Sequence, residues 1–346
     1  MKALLLSRYK HLEMVELPEP APAPGEVLIR VAACGICGSD VHGYDGSSGR
    51  RVPPIVMGHE AAGTVATWGE DVTGLSSGDR LTFDSTVYCG SCTHCRRGDV
   101  NLCDHRQVLG VSCPDYRRSG AFAEYVAVPS HIVHRLPDNV SFEEAAMLEP
   151  LSVALHAVSL ASVETGATAL VVGAGMIGQL LLQVLGTAGC SRIFVADIDL
   201  SRLDLAKTAG ATHVIAAGRE PSEAVLERTG GTGVDVAMEA VGRTETVRAS
   251  VQSVRKGGTV VLVGNVTPEV ALPLQKVVTR QIRLQGSCAS AGEYPRAIEL
   301  LASGRIQVRP LITAVAPLDD GPQWFARLYA REPGLMKVIL TPGERT

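Results

Sequence analysis

Four cysteines fall close together as Cys89-x2-Cys92-x2-Cys95-x7-Cys103. Thiolates at this spacing can close tetrahedrally around zinc with no open position, which reads as a structural metal. The residues around them, Ser91, His94, Arg96, Arg97, Asp99 and Asp104, are too polar for a core of reduced thiols. Such a centre carries net negative charge, and Arg96, Arg97 and Arg106 are near enough in sequence to offset it. His94 and His105 read as surface residues, because the cysteines already fill the coordination sphere. A second set is more dispersed: Cys37 in Cys34-Gly35-Ile36-Cys37-Gly38-Ser39-Asp40-Val41-His42, then Gly58-His59-Glu60, then Glu149 before Pro150. One thiolate, one imidazole and carboxylates can hold zinc and leave a position open for catalysis.

A third motif points to a nucleotide. Gly173-Ala174-Gly175-Met176-Ile177-Gly178 matches G-x-G-x-x-G, follows an apolar strand and opens an apolar helix. Asp197 ends the next strand, completing the dinucleotide fingerprint. The helix N-terminus offers free N–H groups to a pyrophosphate. The Asp197 carboxylate can accept both ribose hydroxyls and opposes a 2′-phosphate, which favours NAD over NADP. Arg202 is the nearest basic residue and is expected at the ribose edge.

These motifs need elements to hold them. At 346 residues the chain suits two domains. The first part has short strand-like runs, such as 27–31, 62–66, 80–83 and 123–128, separated by Gly, Pro and Ser-rich turns, and predicts a mostly β domain. A helix with Ser141 as N-cap follows, and another is expected to begin at Pro150. From Gly166 strands and helices alternate, with strands at 169–172, 192–197, 213–215, 234–239, 259–263 and 282–285. That alternation predicts an α/β domain with a doubly wound parallel sheet. After Ser287 a helix at 295–303 and short strands return to the first domain. The expected division is 1–152, with the cysteine lobe at 86–106, then 153–286, then 287–346.

Composition excludes several classes. Apolar residues are 46% and charged residues 20%, which argues against disorder. A net charge of −4 leaves no polyanion-binding footprint, so nucleic acid is not an expected partner. Nine cysteines argue against a complete disulfide framework, and Cys34, Cys113, Cys190 and Cys288 receive no role. The stretch 165–191 has no charged residue, but its glycines split it into strand, turn and helix, so no membrane span is expected. No targeting motif is visible in this sequence, and a cytoplasmic protein is expected.

Taken together, Gly35 to His42, Gly58-His59-Glu60, the cysteine lobe, the run Glu149-Pro150-Leu151-Ser152-Val153-Ala154-Leu155-His156-Ala157 and the glycine fingerprint resemble the zinc-dependent medium-chain dehydrogenases. Within them the Glu-Pro pair is similar to the polyol (sorbitol-type) branch. The resemblance implies a GroES-like catalytic domain with an inserted Rossmann domain, two zinc ions per chain and a nicotinamide cofactor. It implies a catalytic zinc on Cys37 and His59, completed by Glu60, Glu149 or both, directly or through water. Zinc would lower the pKa of an alcohol, whose alkoxide gives a hydride to NAD and leaves a ketone or aldehyde. Ser39 would accept the proton, and the ribose hydroxyl and His42 would pass it to solvent. Val153 is expected behind the nicotinamide, Val263 in the cofactor-contacting set and Lys337 near the pyrophosphate.

Some positions depart from the sorbitol-type pattern. An aromatic residue usually follows the relay histidine, and here Gly43 does, with Tyr44 next. The Arg-Tyr pair expected between Gly286 and Pro295 is replaced by Ala289 and Ser290. Polyol chemistry is therefore expected, but without the side chains that would grip sorbitol. An amino alcohol, a phosphorylated polyol or a simple alcohol is the alternative substrate, and a non-catalytic nucleotide-binding protein is a reading of another class. The resemblance also implies a homo-oligomer, a tetramer over a dimer.

Overall fold

A computed structural model describes residues 1–112 and 117–343. Its chain forms two compact units, Met1–Glu149 with Ser290–Thr346, and Pro150–Ala289. The joins expected from sequence, 152/153 and 286/287, lie a few residues from these.

The first unit is mostly β. Its larger sheet runs in the order Val133–Arg135, Arg80–Phe83, Glu60–Trp68, Glu26–Gly35, Lys337–Thr341, Ile312–Pro317, and Tyr125–Pro129 also pairs with Glu26–Gly35. A smaller sheet joins Lys2–Arg8, His11–Glu16 and Ile55–Val56. Leu4, Leu6, Ile29, Val31, Phe83, Phe122 and Phe325 lie in its buried core. The strand Glu26–Gly35 is rich in Val, Leu and Ile, residues that fit a pleated buried surface. Register at its C-terminal end matters for the site: Gly35 stands opposite Glu60 on one side and opposite Ile339 on the other. Chain segments far apart in sequence therefore finish side by side.

Ser141 caps the short helix Phe142–Ala145 in a reciprocal capping box with Glu144. The next helix spans Leu148–Ser159, so it starts before Pro150. A proline in the first helical turn loses no intrahelical bond, because amides there have no acceptor within the helix. Glu149 thus sits inside the first turn rather than ahead of it.

The second unit holds six parallel strands in the order His213–Ile215, Arg192–Ala196, Thr168–Val172, Val234–Glu239, Val254–Leu262, Arg283–Gly286. This is the doubly wound sheet that the alternation predicts. Leu170, Val172, Phe194, Val251 and Val260 lie in its core. Strand order reverses between Thr168–Val172 and Val234–Glu239, the place where such sheets open a ligand crevice. The uncharged stretch 165–191 resolves into the strand Thr168–Val172 and the helix Met176–Thr187. Among the described residues no helix is long and apolar enough to cross a membrane.

Candidate active site

Cys37 follows the strand end at Gly35 and becomes the N-cap of the helix Gly38–Tyr44. Its Sγ accepts from the Ser39 amide at 3.5 Å, and its own amide donates to Asp40 Oδ2 at 3.3 Å. Glu60 opens the neighbouring strand, with His59 just before it. Gly35 is needed at the crossing, because a Cβ there would overlap the Glu60 carboxylate. Ligand atoms of Cys37, His59 and Glu60 all lie within 4.8 Å of one another. His59 and Glu60 are buried.

This donor set fits zinc. It offers one thiolate, one imidazole and one carboxylate, as in sites that keep a fourth position open. The His59 ring has a carboxylate behind it, since Nδ1 lies 3.4 Å from Asp40 Oδ1, and metal-binding histidines commonly have such a partner. Asp40 is fully buried and accepts from Arg51 Nη2 at 2.9 Å. Burial alone would raise the Asp40 carboxyl, but His59 and Arg51 beside it hold it well below the usual range. Burial likewise works against a charged His59, and Asp40 and Cys37 outweigh it, so the imidazole lies well above its ordinary value.

The four residues read as the catalytic metal set are not gathered equally. Glu149 is outside the group of three, and its Oε1 accepts from Ser85 Oγ at 3.1 Å. Burial pushes its carboxyl up to about 7, eased by His59 and reinforced by Glu60 and Asp84. Lys337, expected near the pyrophosphate, is buried and ion-paired with Glu60. Its ammonium also donates to the Ile36 carbonyl at 3.2 Å. The register explains this, because Lys337 begins the strand whose Ile339 faces Gly35. Ser39 and His42 are both exposed on the helix Gly38–Tyr44, three residues apart and hence on one face. Asp40 and Arg51 join the site without any role expected of them from the sequence. The Cys-Gly-Ser-Asp run could have flagged the first, but nothing local signals the second.

Cys89, Cys92, Cys95 and Cys103 also offer sulfurs within 4.8 Å of one another, with no disulfide. Cys89 and Cys95 sulfurs are 4.0 Å apart, and those of Cys92 and Cys95 3.5 Å. Zinc–sulfur bonds of about 2.3 Å in a tetrahedron put sulfurs roughly 3.8 Å apart, so the lobe fits that ion. Backbone amides support the thiolates: Cys92 donates to Cys89 Sγ and His105 to Cys103 Sγ, each at 3.3 Å. Hydrogen bonds from Ser91 and Cys92 lower the Cys89 thiol to about 5. The arginines bind carbonyls of the lobe: Arg96 Nε reaches Ser91 O at 2.7 Å and Arg106 Nη1 reaches Asn101 O at 2.6 Å. Arg97 is exposed. His105 is exposed, while His94 is half-buried, with Nε2 3.9 Å from Asp104 Oδ1.

In the second unit the turn Gly173–Gly175 leads from strand Thr168–Val172 into helix Met176–Thr187, which begins at Met176 and carries Ile177 and Gly178 in its first turn. Asp197 Oδ2 accepts from the Ala174 amide at 2.6 Å, and Oδ1 accepts from the Asp199 amide at 2.9 Å. The carboxylate is thus fixed against the glycine turn. Arg202 lies near the same turn, with Nε 3.7 Å from Asp199 Oδ2. The Val263 amide donates to Glu239 O at 2.9 Å, and the buried Glu239 carboxylate accepts from the Val241 and Gly242 amides. Val153 is half-buried, one helical turn after Glu149.

Comparison with known proteins agrees with this arrangement. Residues 23–138 match the family described as alcohol dehydrogenase GroES-like domain, and residues 177–303 match zinc-binding dehydrogenase. Sorbitol dehydrogenase of Bacillus subtilis (strain 168) is 34% identical over 99% of this chain and 97% of its own length. The chain belongs to the zinc-dependent medium-chain dehydrogenases, polyol branch.

Solved structures of medium-chain dehydrogenases share the fold. Alcohol dehydrogenase TADH from Thermus sp. ATN1 superposes with a TM-score of 0.93 at 31% identity, covering 99% of this chain and 100% of that one. The 2R,3R-butanediol dehydrogenase from Bacillus subtilis gives 0.88 at 30% identity, covering 99% of each chain. A zinc-binding dehydrogenase from Sinorhizobium meliloti 1021, bound to NADP, gives 0.89 at 31% identity, again covering 99% of each. This chain is accordingly an alcohol dehydrogenase-type oxidoreductase of a zinc-binding family that uses a nucleotide cofactor.

Proposed function

We propose that this chain oxidises a secondary alcohol of the diol or polyol class to a ketone, with NAD as acceptor. The observation that carries the reading is the convergence of Cys37, His59 and Glu60 within 4.8 Å, with Asp40 behind the imidazole. Cys37, His59 and Glu60 would hold the catalytic zinc, and the cysteine lobe a structural one. When bound, the ion supplies Lewis acidity toward the alcohol oxygen and the dinucleotide supplies the hydride acceptor. The remaining work belongs to side chains. Ser39 accepts the proton of the alcohol, and His42, exposed on the same helix face, passes it to solvent. Lys337 balances the buried Glu60 charge. Asp197 supports NAD, since a carboxylate anchored at the glycine turn opposes a 2′-phosphate.

The substrate leans toward few hydroxyls. Ala289 has no donor, and the Ser290 hydroxyl is buried and donates to Asp84 Oδ2 at 3.2 Å. These replace the Arg-Tyr pair of sorbitol-type enzymes, so diols and short polyols are favoured over hexitols. The test is NADH formation across simple secondary alcohols, 2,3-butanediols, xylitol and sorbitol, repeated with Cys37→Ala. Metal analysis should find about two zinc ions per chain, and about one in the variant. Oxidation that survives Cys37→Ala defeats the proposal.

A further inference from the structure

Arg51 is buried, 3% exposed, yet it is a residue type that seldom is. Its Nη2 donates to Asp40 Oδ1 at 2.9 Å and to Ser39 Oγ at 3.1 Å, while Nε finds no partner among the described residues. The space for its stem comes from Gly43, where a Cβ would overlap Arg51 Cγ. This accounts for the glycine that replaces the usual aromatic after His42: the arginine occupies the room.

We propose that Arg51 is a positioning residue of the proton path, fixing the hydroxyl of Ser39 in the orientation that lets it relay a proton. A guanidinium has donors only, so at this contact Ser39 Oγ must be the acceptor. One lone pair is therefore taken, and the O–H cannot point inward at Arg51. Ser39 is exposed, and the contact with Arg51 leaves its Oγ one lone pair and its O–H for other partners. One free acceptor and one free donor are what a relay needs: the lone pair takes the alcohol proton as the O–H passes its own onward. The same Nη2 holds Asp40, which stands behind His59 Nδ1, so arginine, relay hydroxyl and imidazole form one connected set. The inference rests on the proposed alcohol oxidation at this site.

The test is a double-mutant cycle of Arg51→Lys and Ser39→Ala in zinc-loaded protein, using the fastest alcohol from the screen above. Arg51→Lys alone should lower kcat about tenfold, with KM nearly unchanged, a raised solvent deuterium isotope effect and partial rescue by imidazole buffer. In the Ser39→Ala background the same change should cost less than about twofold. Gly43→Ala, which crowds the arginine stem and leaves both polar residues in place, should give the same signature with unchanged zinc content. Equal cost of Arg51→Lys in both backgrounds overturns the proposal, as does a normal isotope effect in Gly43→Ala. Thermal unfolding of the same four proteins, which needs no turnover, should show non-additive midpoint shifts, and additive shifts reject the Ser39–Arg51 contact. If wild type oxidises no alcohol while this coupling is present, the proposed function and the relay role fall and only the contact stands.

Discussion

Lys337 and Glu60 form a buried ion pair, with side chains 3% and 1% exposed. Lys337→Met keeps most of the stem volume and deletes the charge. Breaking one partner of a buried pair costs about 3–5 kcal/mol, because the other is left as an uncompensated charge. For a unit on the order of 200 residues this corresponds to a fall in Tm of roughly 10 °C. That loss should appear in chelator-stripped protein. In zinc-loaded protein the divalent ion is itself a counter-charge to Glu60, so the loss should shrink to about half or less. Linkage then requires the folded variant to bind the ion more tightly, by about tenfold for each 1.4 kcal/mol of difference. Calorimetry of wild type and variant, each stripped and reloaded, measures all four states, and the lobe metal cancels in the comparison. An equal loss in both states would refute the reasoning, since Glu60 would then not face the ion.

Two further expectations follow from the same geometry. Asp84 is buried, and burial pushes its carboxyl up to about 6 despite hydrogen bonds from Thr86 and Ser290. A carboxyl with a raised folded pKa binds its proton more tightly when folded, so stability falls as pH rises from about 4 through 6. Denaturation at pH 5 and pH 8 should therefore show Asp84→Asn gaining about 1.5 kcal/mol on wild type at the higher pH, and a constant gap would contradict the assignment. Asp197→Asn keeps an acceptor for the Ala174 amide and removes the charge. Steady-state kinetics with both dinucleotides should show kcat/KM for NADP rising about tenfold relative to NAD, and an unmoved ratio would discount Asp197 as the discriminator.

Much of the architecture is legible from short-range patterns. The G-x-G-x-x-G turn, its flanking strand and helix and Asp197 lie within one strand–helix–strand unit, so spacing alone predicts their geometry. The cysteine lobe is similarly local, because four sulfurs on so short a loop have few ways to be apart. Reading stops working where partners are distant. Lys337 and Glu60 are 277 residues apart, and no local pattern pairs them. Glu149, which the resemblance adds to the metal set, turns its carboxylate to Ser85, a partner 64 residues away.

The sequence by itself determined the periodicities, hence a mostly β unit and a parallel α/β unit, and supplied thiolates, imidazole and carboxylates of the right kinds. Tertiary structure alone decided which of them meet. Strand register sets Gly35 between Glu60 and Ile339, and shifting it by one residue would turn every side chain on that strand to the opposite face. That register is held by burial of the whole sheet rather than by the site residues themselves, and so no inspection of the motifs could reveal it.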